Sequence, residues 1–426
     1  MGLLPLSYRR PTYVARPEVA NCQAAAHIDS TPSQPPGPAE SCSSNGVPPT
    51  LNFDRIINGE TCSPCTLRDF MNYLLHVERS AENLQFFLWH RDYERRFSAA
   101  KTADLSLAPE WTQAMEDDTI VCLKKDHAEK VSKSTRGAAA SSEGIDFEES
   151  KDNINESATV TEKYHILATR AFSLAGVEKP SRIQPFRMEV DRIIATYIMN
   201  GAPRQLNLSE QDRKAVLQAL SYTTHPSAFR LLIHLTEATL REQCHPNFIR
   251  WSICNGNPAR LTFALALGVG MILAGLVAAL VLTLSSTGRG YRALVAIAWV
   301  VGFAAVFAAR NGMCVILHCV HHRHIRPWEF FDSDHRVECG DGDPANAAAC
   351  SWDRSGSTSS YEDEPWVVRY RKRHIFRKIF DQEESIQEPA LRQVQNTIVV
   401  QSIVFAVVCT GVLTAVFVAV PSGGFF

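Results

Sequence analysis

Two groupings in this chain have the residue types and spacing of metal or redox chemistry. Cys62 and Cys65 form a Cys-x-x-Cys pair, the spacing at which two thiolates grip one zinc ion or exchange a disulfide. No second pair accompanies it, and two ordinary thiols in a loop leading into a helix are the alternative. Further on, Cys314, His318, Cys319, His321, His322 and His324 crowd one short stretch. These ligand types suit zinc, and a helix end emerging into a basic headgroup zone accounts for the same histidines. Neither grouping is read as a metal centre, and no cofactor is expected. Glu82 and Asn83 lie near one helix start and Asn207 just before another. Satisfying local backbone groups, at a helix start or in a turn, is the plainer use of such residues.

The elements that must hold these residues are helices. Leu67, Phe70, Met71, Leu74 and Leu75 fall at the spacing of one buried helical face, and Val190, Ile193, Ile194, Tyr197 and Ile198 repeat it. Phe229, Leu232, Ile233, Thr236 and Leu240 supply another face. Ser80 is placed to cap the helix that carries Glu82, whose charge suits the positive first turn. Ser209 and Asp212 have the form of a capping pair before Val216, Leu217 and Leu220. The expected fold class is all-α.

Two blocks carry a resemblance to a known family. Thr66 to Phe97 reads TLRDFMNYLLHVERSAENLQFFLWHRDYERRF and contains Glu82-Asn83-Leu84. The segment from Phe186 to Trp251 contains Ala202-Pro203 and Asn207-Leu208 in an Ala-Pro-x-x-x-Asn-Leu turn. Together they resemble the two halves of the helical domain of regulators of heterotrimeric G-protein signalling, the RGS family. The resemblance implies an RGS-like bundle over 50–257, binding to an active Gα subunit, and Gα contacts at Glu82, Asn83 and Asn207. In that family the domain donates no arginine finger. It holds the flexible switch segments of Gα in their transition-state arrangement and so speeds the GTP hydrolysis that Gα itself performs. The chain would be a GTPase activator, with no catalytic residue of its own. Its last helix departs from the pattern: Gln243 and Asn247 stand where the family brings an acidic residue and an arginine, and Pro246 interrupts that helix.

The halves are separated by an insert over about 98–183, in which Trp111 to Val131 suits a helix. Ser132 to Thr159, poor in large apolar residues, suits a mobile loop. Residues 1–49 are Pro/Ser-rich, as in an extended arm. Met1 to Ala20 carries Arg9, Arg10 and Arg16 and lacks the apolar core of a secretory signal.

Three apolar runs follow. Leu261 to Leu284 has no charged residue; about 24 residues at ~1.5 Å rise cross a ~30 Å hydrocarbon core. Residues 291–309 and 398–420 are read as two further membrane helices. The 310–397 connection between them is basic, with Arg323, Arg326, Arg369, Arg371, Lys372, Arg373, Arg377 and Lys378, whereas the short turn at 285–291 holds only Arg289. Positive charge marks the cytosolic side, so the connection and the N-terminal domain are expected there, with free thiols as the default for its cysteines. Within the connection, Trp366 to Phe380 suits either contact with anionic lipid or a stalk helix entering the third span.

A net charge of −2 with 45% hydrophobic residues hides these runs, because a polar N-terminal half offsets them. No single-sign excess, zinc-finger spacing or basic-aromatic stripe points to nucleic acid. The runs lack Asp, Glu, Lys and Arg at their centres, which argues against transport or intramembrane catalysis. A split RGS-like domain followed by three spans also resembles the layout of the fungal bud-site-selection RGS membrane proteins. That resemblance implies a role in cell polarity at growth sites, in the plasma membrane with an endomembrane as the alternative, and a large single-span membrane partner. A polarity scaffold without GTPase activation is the alternative expectation.

Overall fold

The computed structural model describes residues 47–100, 105–136, 160–180, 183–286, 288–329, 370 and 372–421. Nearly all of the arm expected over 1–49, the insert beyond 136 as far as 159, and residues 330–369 of the basic connection lie outside them. The helices are α1 (Phe53–Ile57), α2 (Leu67–Tyr73), α3 (Ala81–Ser98), α4 (Gln113–Arg136), α5 (Val160–Ala175), α6 (Arg187–Ile193) and α7 (Glu210–Tyr222). They continue as α8 (Arg230–Ala238), α9 (His245–Ile253), α10 (Pro258–Leu284), α11 (Ala296–Arg310) and α12 (Val315–Cys319). Strand β1 (His322–His324), α13 (Ile375–Ile379), β2 (Glu383–Ser385) and α14 (Pro389–Ala419) complete the order. The chain is mostly helical and divides into two compact units, Glu78–Glu242 and the remainder.

The first unit is a helical bundle on an aromatic core. Phe86, Tyr93, Phe97, Phe172 and Phe229 are buried with Val190, Ile193, Ile194, Tyr197 and Ile198. Ser209 opens α7 as expected, accepting a hydrogen bond from the Asp212 amide at 3.0 Å. Ser80 does not cap α3 with its side chain; instead the Asn83 amide donates back to the Ser80 carbonyl at 3.3 Å. The insert is partly structural. α4 runs to Arg136, so 132–136 is helical where a loop was expected, and α5 buries Ala168, Ala171 and Phe172 in the core. The Arg187 guanidinium, itself buried, bonds Asp191 at 2.9 Å and the Leu220 carbonyl at 2.6 Å, and His165 of α5 meets the other Asp191 oxygen at 2.7 Å. One carboxylate thereby joins the insert to α6.

The second unit combines a small helical cap with three helices long and apolar enough to cross a membrane, Pro258–Leu284, Arg289–Arg310 and Pro389–Ala419. A 3-10 turn, Arg289–Val295, lengthens the second to 22 residues, about 33 Å at ~1.5 Å per residue. The third helix starts at Pro389, well before the apolar run at 398, because its polar first turns pack inside the unit: Gln395 is fully buried and donates to the Ile253 carbonyl at 3.0 Å. Both long helices begin with an acceptor followed by proline, Asn257-Pro258 and Glu388-Pro389, the pairing of N-cap and pre-set φ that starts a helix sharply. Gly268 and Gly302 bring α10 and α11 together so closely that a Cβ on either would lie 2.9 Å from the other's carbonyl oxygen. Buried Trp299 of α11 fills the space over Gly275, donating to the Ile272 carbonyl at 3.3 Å. Arg292 is sequestered: it donates to the Phe417 and Val420 carbonyls at 2.9 and 2.7 Å, where a cation complements the negative end of α14.

The cap consists of α1, α2 and α9. Phe70 meets Phe248 at 5.0 Å, Tyr73 meets Trp251 at 5.1 Å, and His245 Nε2 lies 2.8 Å from the Leu51 carbonyl. Capping residue Glu388 also accepts the Cys62 amide at 2.8 Å. The flanks of a 50–257 domain, 47–77 and 243–257, therefore pack with the apolar helices. Pro246 lies in the first turn of α9, directly after a π turn over Thr239–Cys244, so the regular α pattern is interrupted just ahead of the proline, as expected.

Candidate functional site

The recognition residues expected at Glu82, Asn83 and Asn207 all fall in the Glu78–Glu242 unit. Glu82 is half-buried in the first turn of α3. Asn83 is 8% exposed, its side chain committed to the Ser80 carbonyl. Asn207 is exposed, on a turn whose backbone is tightly held: Arg204 and Leu206 donate their amides to the Thr196 and Tyr197 carbonyls at 3.1 and 2.9 Å. Gly201 allows the chain to reverse, with φ of 76°, a conformation glycine adopts without steric cost. The two elements share one support. Phe86, one turn beyond Asn83 on α3, packs against Tyr197 at 5.8 Å, and the Tyr197 carbonyl anchors Leu206, next to Asn207. Glu82 and Asn207 thus lie on two elements that meet through Phe86 and Tyr197.

Gln243 and Asn247 are 6% and 1% exposed and belong to the unit that holds the apolar helices. Neither side chain faces solvent.

The bundle holds a further polar cluster that periodicity did not reveal. Glu189 accepts from Trp89 at 2.8 Å and from both terminal nitrogens of Arg96 at 2.8 and 2.6 Å. The Arg96 hydrogen bonds hold its carboxyl below the usual carboxylate value. Met188, its neighbour, is largely exposed.

Among the described residues no group of three or more His, Cys, Asp or Glu converges as a metal set. Cys65 is fully buried and burial pushes its thiol pKa up, the state of an unreactive thiol. Cys62 is exposed. His318 is buried edge-on to His321, and burial lowers its pKa. His322 and His324 have another use, in an antiparallel ribbon that pairs Arg323 with Glu384 and His324 with Glu383. In that ribbon Arg323 bonds Glu384 and Glu329, while Arg260 at the start of α10 bonds Glu383 at 2.5 Å and lies 3.3 Å from His324 Nε2. A basic strand is clasped to an acidic one across a long connection.

Compared with known protein families, characterised proteins and solved structures, the chain has no significant match.

Proposed function

We propose that the chain is a membrane-anchored regulator of G-protein signalling that binds an active Gα subunit and accelerates its GTP hydrolysis. The observation that carries this reading is the exposed Asn207 on a braced turn, supported through Tyr197 and Phe86 by the helix that bears Glu82. In this reading Asn207 reaches the catalytic glutamine of Gα, Glu82 contacts the switch segments, and Asn83 sets the turn that presents Glu82. Intrinsic hydrolysis by Gα is slow, ~10⁻² s⁻¹, so fixing mobile switches is enough to raise the rate without a new catalytic group. The three apolar helices hold the chain in a bilayer, with the N-terminal domain and the 310–397 connection in the cytosol and the plasma membrane at growth sites as the setting.

One observation favours a second reading, a membrane scaffold or polarity landmark without GTPase activation, working with a single-span membrane partner. Gln243 and Asn247 are uncharged and buried, so the charged support that the family brings at these positions is lacking. Binding separates the two. The detergent-solubilised full-length chain should bind Gα loaded with GDP and a transition-state mimic of the γ-phosphate more tightly than Gα with GDP alone, and Asn207→Ala should weaken that binding tenfold or more. Equal binding to both nucleotide states, or none, refutes the regulator reading.

A further inference from the structure

We propose that α13 and its flanking residues form a binding surface for anionic phospholipid headgroups. The proposal rests on the membrane reading above and adds a lipid class and a location to it.

Phe380 packs edge-on against Phe263, in the second turn of α10, with ring centroids 6.2 Å apart. Asn257, the residue that caps α10, donates its side-chain amide to the Lys378 carbonyl. Both contacts fix α13 beside the first turns of an apolar helix, the depth at which hydrocarbon gives way to headgroups.

Ile375, Phe376 and Phe380 are 59%, 64% and 68% exposed, an unusual concentration of large apolar side chains around a helix of 5 residues. Lys372 and Arg377 are exposed beside them. Apolar side chains interleaved with basic ones are the composition of a segment lying in an interface, the first buried near the acyl boundary and the second among phosphates.

The carboxylates that follow α13 are already engaged: Asp381 by Arg373 at 2.9 Å, Glu383 by Arg260 and Glu384 by Arg323. Among the described residues no salt bridge joins Lys372 or Arg377 to a carboxylate, so the surface is left with a positive excess. Nor is α13 a stalk running into the third apolar helix, because β2 intervenes before α14 begins at Pro389. An acidic protein would answer the charges and leave Ile375 and Phe376 in water, whereas an anionic bilayer answers both.

The test uses full-length protein reconstituted in phosphatidylcholine vesicles, with spin-labelled phosphatidylserine or phosphatidylcholine as the probe. The wild-type chain should restrict the phosphatidylserine probe with a severalfold preference. K372Q/R377Q should lower that preference by up to about fivefold per charge removed, the equivalent of ~1 kcal/mol each, and R289Q, at the opposite ends of the apolar helices, should leave it unchanged. Wild-type protein without preference, K372Q/R377Q with the wild-type preference, or loss in R289Q instead would overturn the proposal. Alkaline carbonate extraction separates this failure from that of its premise. A chain released by carbonate overturns the membrane reading together with the surface; a retained chain without preference overturns the surface alone.

Discussion

Asp191 shows how much of the bundle hangs on single polar residues. It is buried, shared between Arg187 and His165, and lies where α5 meets α6. Removing one member of a buried pair strands the other charge at a cost of ~3–5 kcal/mol. Asp191→Ala should therefore lower the unfolding free energy of the bundle by about that much in chemical denaturation, whereas exposed Asn207→Ala should change it by less than ~0.5 kcal/mol. A contact residue and a structural residue are thus told apart by stability alone. Acid sensitivity is also a residue property. Burial lowers the His90 pKa from its usual 6.5, and Arg96 lowers that of Glu189 from 4.5. Both folded values are depressed, so both contributions are present above the ordinary pKa and are lost as pH falls through the folded one. The melting temperature of the bundle should fall in two steps below pH 6.5. His90→Phe should shrink the upper step, to which His225, its pKa also lowered by burial, contributes the rest; Glu189→Gln should remove the lower one and cost on the order of 1 kcal/mol at neutral pH, since Arg96 is partly exposed. A melting temperature that stays flat from pH 6.5 downward would contradict the histidine assignment, and one that does not fall further below pH 4.5 would contradict that of Glu189.

At the scale of elements, the glycines of α10 and α11 separate packing from mere composition. Gly302→Val needs space that the Gly268 carbonyl and Ile272 occupy, whereas Gly270 has nothing within 4 Å of a built Cβ. Overpacking at such a contact costs ~1–3 kcal/mol, and apolar helices in lipid depend on close approach for their association. Thermal unfolding in detergent should show Gly302→Val several degrees less stable and Gly270→Ala unchanged. The helices themselves were legible in the sequence because periodicity at Val190 to Ile198 and unbroken apolarity from Leu261 to Leu284 are local signals. Less legible were features in which a distant residue decides the outcome. The early start of α14 depends on the Ile253 carbonyl taking Gln395, and the packing of α5 depends on core residues that small Ala168 and Ala171 alone do not advertise. Spacing marks Ser80 as a cap, yet its carbonyl is the acceptor, taking a hydrogen bond from the Asn83 side-chain amide. The candidate site was legible only as residue types: periodicity does not distinguish Asn207, exposed on its turn, from Asn83, buried in its own.

On the scale of the whole molecule, the 50–257 stretch is shared between two units, with its flanks built into the one that contains the apolar helices. Glu388 and Gln395 of α14 hold the backbone of those flanks. A fragment ending near Asn257 would lose these partners and expose aromatic surface, so function belongs to the intact chain. In the proposed reading this chain acts on Gα. The most direct test is single-turnover GTP hydrolysis by a panel of fungal Gα subunits, with and without the full-length protein reconstituted in a bilayer, beside its Asn207→Ala variant. The account predicts acceleration of at least one Gα by the wild-type chain and its loss in the variant. Hydrolysis at the intrinsic rate across the panel, with folded and membrane-integrated protein, would contradict it and leave the scaffold reading.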